Sequence, residues 1–282
     1  MTEAHAGEFA FRCKTSEAFM LKVLIELVHN NIKTGCVELH KEGMHFSMTD
    51  ANKRTLINFE LPAIGFDTYY VQGDILKIGL NMNHFYKMLK SIKKKDSVVL
   101  FIRADEPHEL GIQIAPRDQL RLTTSYVRVQ NIHNLEILLP GPYARATVVS
   151  STEFAKMCKD MLNMSNTVRI TATALNVRFH CNLGAVYSRD VVLGEIDVER
   201  DKEVVFEEEF DTEQLSRILK MSGLAPILTI SCAESLPMML QCKIGRLGTL
   251  SIYMKSRAQT EEAGIEGSGV MPAPLGERPA TC

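Results

Sequence analysis

The sequence has no apolar run that approaches the roughly 18 to 20 residues needed to span a membrane. Its first residues, MTEAHAGEFAF, contain neither the basic region nor the apolar region of a secretory signal. These two absences predict a soluble intracellular protein.

The cysteines form no CxxC pair, and no histidine stands near them at the spacing of metal ligands. Most of them fall in predicted strands or on the apolar face of a predicted helix, which is typical of reduced thiols in a core. We therefore expect no zinc site and no cofactor. The cysteines are Cys13, Cys36, Cys158, Cys181, Cys232, Cys242 and Cys282.

Common catalytic motifs are also missing, namely GxxxxGK[ST], GxGxxG, GxSxG and HExxH. Acidic residues do gather at Glu195 to Asp201 and at Glu207 to Glu209, and a nuclease that binds metal through Asp197 or Glu209 is one alternative. Successive residues of a strand point to opposite faces, however, so a solvated acidic surface is the preferred interpretation. The sequence indicates a protein that is not an enzyme.

One short motif occurs three times. FYKMLK at Phe85 to Lys90 recurs as FAKMCK at Phe154 to Lys159 and as LSRILK at Leu215 to Lys220, and a weaker copy begins at Ser16. With about 100° between successive residues of a helix, each copy is apolar on one side and cationic on the other. The repeat predicts matching amphipathic helices.

The segments around these helices repeat as well. Short polar residues that can cap a helix precede them, at Asn81 or Asn83, at Ser151 or Thr152, and at Asp211 or Thr212. Strand-like segments lie on both sides, which predicts four strand–helix–strand units in two pairs and an α+β fold. The strands expected after the helices are Cys36 to His40, Ser97 to Arg103, Thr167 to Thr173 and Ile227 to Cys232.

A length of 282 residues with 45% apolar content predicts two domains. The connector between them ends in Pro140-Gly141-Pro142, and the C-terminal stretch, rich in Glu, Gly, Pro, Ser and Thr, is expected to be disordered. The expected divisions are an N-terminal extension (1–7), a first domain (8–128), a connector (129–143), a second domain (144–257) and a tail (258–282).

The formal net charge of −2 does not decide whether the protein binds nucleic acid. A phosphate responds to the local potential, and the cations here gather on helix faces and in the turn Lys93-Lys94-Lys95-Asp96. The residues alone leave ordinary solvated faces as the alternative. In the same way, Val186 to Ile196 is either an edge strand that pairs with another chain or a strand of a simple hairpin.

Several segments together resemble one family. Gly65 to Tyr69 (GFDTY), Ile78 to Asn81 (IGLN) before the FYKMLK helix, Ser150 to Met161 (SSTEFAKMCKDM), and Leu236-Pro237 leading to Gly248, Leu250 and Tyr253 are similar to the proliferating cell nuclear antigen family of DNA sliding clamps. The similarity spans about residues 9–254.

The resemblance implies two sliding-clamp domains of one topology per chain and three chains closed head to tail into a ring, with helices lining the hole and antiparallel sheets outside. The stretches near Leu120 to Val129 and Tyr187 to Ile196 would join the chains. Duplex DNA would be bound without sequence preference. The implied DNA-binding residues are Lys22, Lys87, Lys90, Lys156, Lys159 and Lys220, with Arg217 added from the internal repeat.

The resemblance also implies a pocket beside the connector that binds short peptides of a polymerase, a clamp loader and other replication proteins, in the nucleus or at a site of viral DNA replication. Three differences from the family predict another peptide preference: Thr49-Asp50, Lys53-Arg54 and Lys255-Ser256. The long tail and the N-terminal extension suggest a divergent or viral branch. The implied pocket residues are Leu56, Leu139, Pro140, Tyr143, Pro237 and Tyr253.

Two alternatives share this fold. One is a subunit of a heteromeric checkpoint-type clamp, whose edges do not pair with themselves. The other is a scaffold that keeps the peptide pocket and does not bind DNA.

Overall fold

Each of the first four helices lies between two strands, as the sequence predicts. The computed structural model describes residues 7–118, 121–132, 137–182, 184, 186–196 and 204–267. The first half consists of β1 (Phe9–Thr15), α1 (Ala18–Asn31), β2 (Thr34–His40), β3 (Gly43–Thr49), β4 (Thr55–Pro62), β5 (Thr68–Val71), β6 (Ile75–Asn81), α2 (Met82–Leu89), β7 (Ser97–Arg103), β8 (Glu109–Ala115) and β9 (Thr123–Arg128).

The second half repeats this order apart from β5. It consists of β10 (Thr147–Ser150), α3 (Ser151–Met164), β11 (Thr167–Ala172), β12 (Asn176–Asn182), β13 (Ser188–Gly194), β14 (Phe206–Asp211), α4 (Thr212–Ser216), β15 (Ile227–Ser231), β16 (Met238–Ile244) and β17 (Gly248–Met254), and α5 (Arg257–Gly267) follows. Short 3-10 turns occur at Ala63–Gly65 and Leu219–Gly223.

The strands form three antiparallel sheets. Their orders are β5-β1-β7-β8-β9, β10-β15-β16-β17-β4-β3-β2-β6 and β13-β12-β11-β14. The largest sheet crosses from one half to the other through the pairing of β4 with β17, in which Leu56 faces Tyr253 and Thr55 faces Met254. The α+β fold with two similar halves is confirmed.

The helices form a layer against these sheets. Helix α1 contacts α2 and the 3-10 turn Leu219–Gly223, and α3 contacts that same turn and α4. The apolar stripes of the helices and the inner faces of the strands form the core, where burial of one Phe side chain stabilises the fold by about 1.5–3 kcal/mol. The largest fully buried side chains include Phe11, Phe46, Phe154, Phe179 and Phe210.

The strands β9 and β13 each end a sheet, so each has one edge without a neighbouring strand in the described structure. Large apolar side chains are exposed at both edges. Tyr126 in β9 is 51% exposed, and Val186 just before β13 is 75% exposed. Edges of this kind invite pairing with another chain. The predicted stretch at the first edge began at Leu120, which lies outside the described residues.

Cross-strand rows define which positions of the two halves correspond. A row here is a set of residues that face one another across neighbouring strands. Two equivalent rows end at Ser125 in β9 and at Ile252 in β17, so the next residues along these strands, Tyr126 and Tyr253, are counterparts. These rows are Leu100–Ile112–Ser125 in the first half and Ile230–Leu240–Ile252 in the second.

The caps of the helices differ in detail from the prediction. Asn81 caps α2 as expected, because its side chain accepts a backbone N–H of the first turn. The cap of α3 is Ser150, which precedes the predicted caps Ser151 and Thr152 by one and two residues. Asp211 stands at the start of α4 but makes no side-chain cap bond.

The third copy of the helix motif is not a continuous helix, and that prediction was wrong. Helix α4 ends at Ser216, and a 3-10 turn begins at Leu219. The Ser216 hydroxyl donates to the Glu213 carbonyl at 2.7 Å, and the Ile218 N–H bonds three residues back, to Leu215. Side-chain bonds of this type compete with the helical pattern.

The expectation that residues 258–282 are disordered was wrong as far as Gly267, because α5 begins at Arg257. The Ser256 hydroxyl accepts the Gln259 N–H at 3.2 Å, and the Gln259 side chain accepts the Ser256 N–H at 3.1 Å. This reciprocal cap starts the helix. Helix α5 packs on β14, and residues 268–282 lie outside the described part.

The connector between the halves begins in contact with the first domain. The Gln130 N–H donates to the Gly79 carbonyl at 2.8 Å on the outer side of β6. Since β6 and β14 are counterparts, α5 covers in the second half the edge that the connector covers in the first. Residues 133–136 of the connector lie outside the described part.

Candidate functional site

The helix layer carries more cations than acids. The ranges 18–31, 82–95, 151–164 and 212–223 contain ten Lys or Arg residues and four Asp or Glu residues. The chain as a whole has a formal net charge of −2, so the positive charge is concentrated on this side. A surface of this kind attracts phosphates.

Four of the predicted DNA-binding lysines point away from the core. Lys87, Lys90, Lys156 and Lys159 are exposed, and none of them forms an ion pair with a residue that the structure describes. Lys90 follows the last residue of α2, so its ammonium group adds to the favourable charge at a helix C-terminus. These four ammonium groups are therefore the most accessible predicted phosphate contacts.

The other three predicted cations make contacts within the chain. The Lys22 ammonium donates to the Ile92 carbonyl at 3.0 Å. Arg217 pairs with Glu213 at 2.6 Å, one helical turn away, and Lys220 pairs with Glu26 of α1 at 2.7 Å. Contacts between residues so far apart in sequence, such as Lys220 and Glu26, cannot be read from a helical stripe.

Sequence reasoning missed an aromatic pair in the helix layer. His29 of α1 and Tyr86 of α2 stack with 4.6 Å between their ring centroids. Partial burial raises the pKa of Tyr86, and the adjacent Glu26 carboxylate raises it further. The phenol therefore stays neutral. Tyr86 joins α2 to α1, and the Lys220–Glu26 pair joins α1 to the second half.

The predicted peptide pocket is assembled around the β4–β17 pairing. Leu56 and Tyr253 face one another across the ladder, and the ring of Tyr143 lies 6.3 Å from that of Tyr253. The Tyr143 hydroxyl donates to the Pro237 carbonyl at 2.6 Å. Burial raises the pKa of both tyrosines, so both phenols are neutral hydrogen-bonding groups.

The remaining predicted pocket residues lie on the connector. Leu139 is exposed and Pro140 is partly buried. Their neighbour Leu138, which is not among the predicted pocket residues, is 90% exposed. The Leu-Leu-Pro sequence was the available signal, because exposed apolar residues next to a proline in a connector are suited to contact a partner.

Two of the three predicted departures from the family, Thr49-Asp50 and Lys53-Arg54, lie in a tight turn beside this pocket. The Asp50 carboxylate accepts the backbone N–H groups of Arg54 and Thr55, both at 2.8 Å, and Lys53 has a positive φ of 54°. Arg54 then reaches Asp211 of the second half at 2.5 Å. The Lys53-Arg54 pair thus includes one residue that holds the two halves together.

The acidic strand β14 shows no arrangement suited to metal catalysis among the described residues. Glu207 and Glu209 both pair with Arg169 of β11, at 3.6 and 3.2 Å. No group of three or more potential metal ligands occurs in the described part of the chain. Asp197, the other acid of the nuclease alternative, lies outside that part.

The six cysteines that the structure describes are free thiols, and five are buried. Burial raises the pKa of Cys158, and it raises that of Cys242 to about 12. Thiols with such pKa values are unreactive at neutral pH. No helix within the described ranges is long and apolar enough to cross a membrane.

Comparison with known families decides the relationship. The sequence model of the proliferating cell nuclear antigen N-terminal domain matches residues 10–135, and that of the C-terminal domain matches residues 142–257. The chain belongs to the proliferating cell nuclear antigen family. The family assignment made from the sequence is confirmed.

Two relatives illustrate the similarity. Proliferating cell nuclear antigen of Dictyostelium discoideum is 23% identical over 259 residues, which cover 88% of this chain and 100% of that protein. A protein named probable DNA polymerase sliding clamp 1, from Paramecium bursaria Chlorella virus 1, is 22% identical over 251 residues, which cover 86% of this chain and 95% of that protein.

Proposed function

We propose that this chain is the subunit of a homotrimeric DNA sliding clamp. In this role it encircles duplex DNA and acts as a processivity factor, without catalysing a reaction, by tethering a replicative polymerase and other replication and repair proteins. The observation that carries the proposal is that the open edges β9 and β13 are the counterparts of β17 and β4, which pair with each other inside the chain.

The internal pairing supplies a template for the ring. If β9 of one chain pairs with β13 of the next as β17 pairs with β4, Tyr126 faces Ser188 of the neighbouring chain, just as Tyr253 faces Leu56. Each chain offers one edge of each kind, so the contact is heterologous and can close head to tail. The number of three chains comes from the family.

The helix layer would then face the hole of the ring. Lys87, Lys90, Lys156 and Lys159 are placed to meet phosphates, whose contacts carry no sequence information. Such contacts exchange with counterions and permit sliding. Enclosure of the duplex would keep the clamp on DNA without tight binding.

The pocket around Leu56, Tyr143 and Tyr253 would receive an apolar or aromatic side chain of a partner peptide, because buried aromatic anchors dominate such interfaces. A polymerase and a clamp loader are the partners proposed for it. Their site of action would be the nucleus or a compartment of viral DNA replication.

A duplex attached to a bead at one end tests the proposal without a loader. The clamp is threaded over the free end, that end is capped with a bulky protein, and the bead is washed with concentrated salt. We expect the clamp to stay until a nuclease cuts the duplex, because salt weakens phosphate contacts and does not open a ring. Light scattering should give about three times 31.6 kDa.

The alternatives give different results. A chain that stays monomeric at every concentration contradicts the homotrimer and favours a heteromeric checkpoint-type clamp. A trimer that binds partner peptides but is washed from capped duplex contradicts the DNA role and favours a scaffold.

A further inference from the structure

The junction between the two halves contains a buried side-chain contact at one end of the β4–β17 ladder. Gln214, the third residue after Asp211, is 9% exposed. Its Nε2 donates to the Arg54 carbonyl and to the Thr55 hydroxyl oxygen, both at 3.1 Å. The amide of Gln214 thus satisfies the backbone where β4 begins.

The counterpart of Gln214 in the first half is His84. Thr34, the first residue of β2, faces Asn81, and Thr167, the first residue of β11, faces Asp211. Asn81 and Asp211 therefore hold equivalent positions, and each directly precedes a helix. His84 is the third residue after Asn81, as Gln214 is the third after Asp211. Unlike Gln214, His84 is exposed.

The counterpart of Arg54 is Val186. Glu60 and Val192 end equivalent rows, and counting six residues back along the chain from each leads to Arg54 and Val186. The rows are Glu38–His45–Glu60 and Thr171–Arg178–Val192. Val186 lies at the open β13 edge, where the proposed ring brings in the neighbouring chain.

A histidine can make the contact that the glutamine makes. In both side chains Nε2 is separated from Cα by the same number of bonds, and the Nε2–H form of imidazole is a donor. In the described part of the chain the imidazole of His84 has no hydrogen-bond partner, whereas its backbone N–H is held by Asn81 at 3.0 Å. The helix start therefore fixes the backbone position from which the ring projects.

We propose that His84 of one chain donates its Nε2–H to the Val186 carbonyl of the neighbouring chain and closes one end of each seam of the ring. This inference rests on the proposed ring and names a contact within it. Tyr187 is the counterpart of Thr55, and its hydroxyl donates to the Met164 carbonyl at 3.0 Å. The acceptor that the neighbouring chain offers is therefore the Val186 carbonyl, in the place of the Arg54 carbonyl.

The first test measures the dissociation constant of the trimer by sedimentation across a dilution series. We expect His84→Ala to weaken assembly roughly 2- to 12-fold per seam, the effect of one net hydrogen bond. His84→Gln should restore wild-type assembly, because Gln214 makes the equivalent bond inside the chain. Asn83→Ala, an exposed neighbour, should change nothing.

The second test locates the contact. Chains with His84→Cys are mixed with chains carrying Val186→Cys and treated with a short bismaleimide, and covalent dimers are expected on a denaturing gel. A mixture of Lys243→Cys with Val186→Cys should give none above the background of the native cysteines. Arg54→Cys with Gln214→Cys in one chain calibrates the reaction through an internal cross-link.

Failure of the contact and failure of the ring are distinguishable. A wild-type trimer in which His84→Ala matches Asn83→Ala, and in which the cysteine mixture gives no dimers while the internal pair reacts, overturns the His84 contact and leaves the ring intact. A wild-type chain that remains monomeric overturns the ring and the contact together.

Discussion

The ring of Tyr126 stands edge-on to the ring of Phe101, with 6.2 Å between their centroids. Gly111 lies between them in the ladder, opposite both residues. A methyl group at Gly111 would collide with the Phe101 ring, which covers the glycine. The absence of a side chain at Gly111 thus lets Phe101 support Tyr126 at the open edge.

Tyr126→Ala should therefore convert the trimer largely to monomers. Loss of a central aromatic anchor costs about 2 kcal/mol or more at each seam, which is about thirtyfold in affinity. Since Tyr126 is half exposed in the single chain, the thermal stability of the unassembled chain should change little. Light scattering and thermal unfolding measure the two effects, and Tyr126→Phe is the control. Wild-type assembly by the alanine variant would contradict the β9–β13 seam.

Charge reversal should distinguish lysines of the helix layer from a lysine on the opposite face of the sheets by their effect on DNA binding. Lys156→Glu with Lys159→Glu should weaken the binding of duplex DNA and reduce its logarithmic salt slope by roughly 1 for each lysine that meets a phosphate. Lys243→Glu is the control, because Lys243 is exposed on β16 while its neighbours Cys242 and Ile244 are buried. Equal slopes for both variants would remove α3 from the DNA-facing surface.

The pocket can be tested through a single oxygen atom. Tyr143→Phe removes the hydroxyl that donates to the Pro237 carbonyl and leaves the ring beside Tyr253 in place. We expect binding of an aromatic partner peptide to weaken by about 0.5–1.5 kcal/mol, measured by fluorescence anisotropy. Tyr70→Phe, in β5, is the matched control. Unchanged binding would show that the Tyr143–Pro237 link does not shape the pocket.

The sequence predicted what depends on local spacing. The apolar stripe containing Phe85 and Leu89, and the cap at Asn81, are set by residues a few positions apart, so they were found before the structure. The strands that follow the helices were found in the same way. The break between Ser216 and Leu219 was missed, because the motif LSRILK has a helical spacing and does not reveal the hydroxyl bond of Ser216.

Contacts between distant segments were not predictable from spacing. The Lys220–Glu26 pair joins the two halves of the chain, and it gives Lys220, a predicted DNA-binding residue, a contact within the chain. Resemblance to a family placed Tyr253 and Leu56 in one pocket, but the register that sets them opposite each other was not predicted. The proposed seam between chains also joins distant segments, and its register is taken from the internal β4–β17 pairing.

Helix α5 shows how composition can hide a local signal. Ser256 and Gln259 form a reciprocal cap, and Arg257 lies 3.7 Å from the Asp211 carboxylate, in a stretch whose Glu and Gly content had suggested disorder. Ser256→Ala should destabilise α5 by about 0.5–2 kcal/mol, because one of its first N–H groups loses its acceptor.

Amide hydrogen exchange of residues 257–262 measures the effect of Ser256→Ala. Exchange there should be roughly 2- to 30-fold faster in this variant, as a loss of that size implies, while the β4–β17 ladder should keep its protection because its hydrogen bonds do not involve the Ser256 hydroxyl. Ser91→Ala, an exposed serine after α2, controls for loss of a hydroxyl. Unchanged exchange in α5 would mean that its packing on β14 holds the helix without the cap.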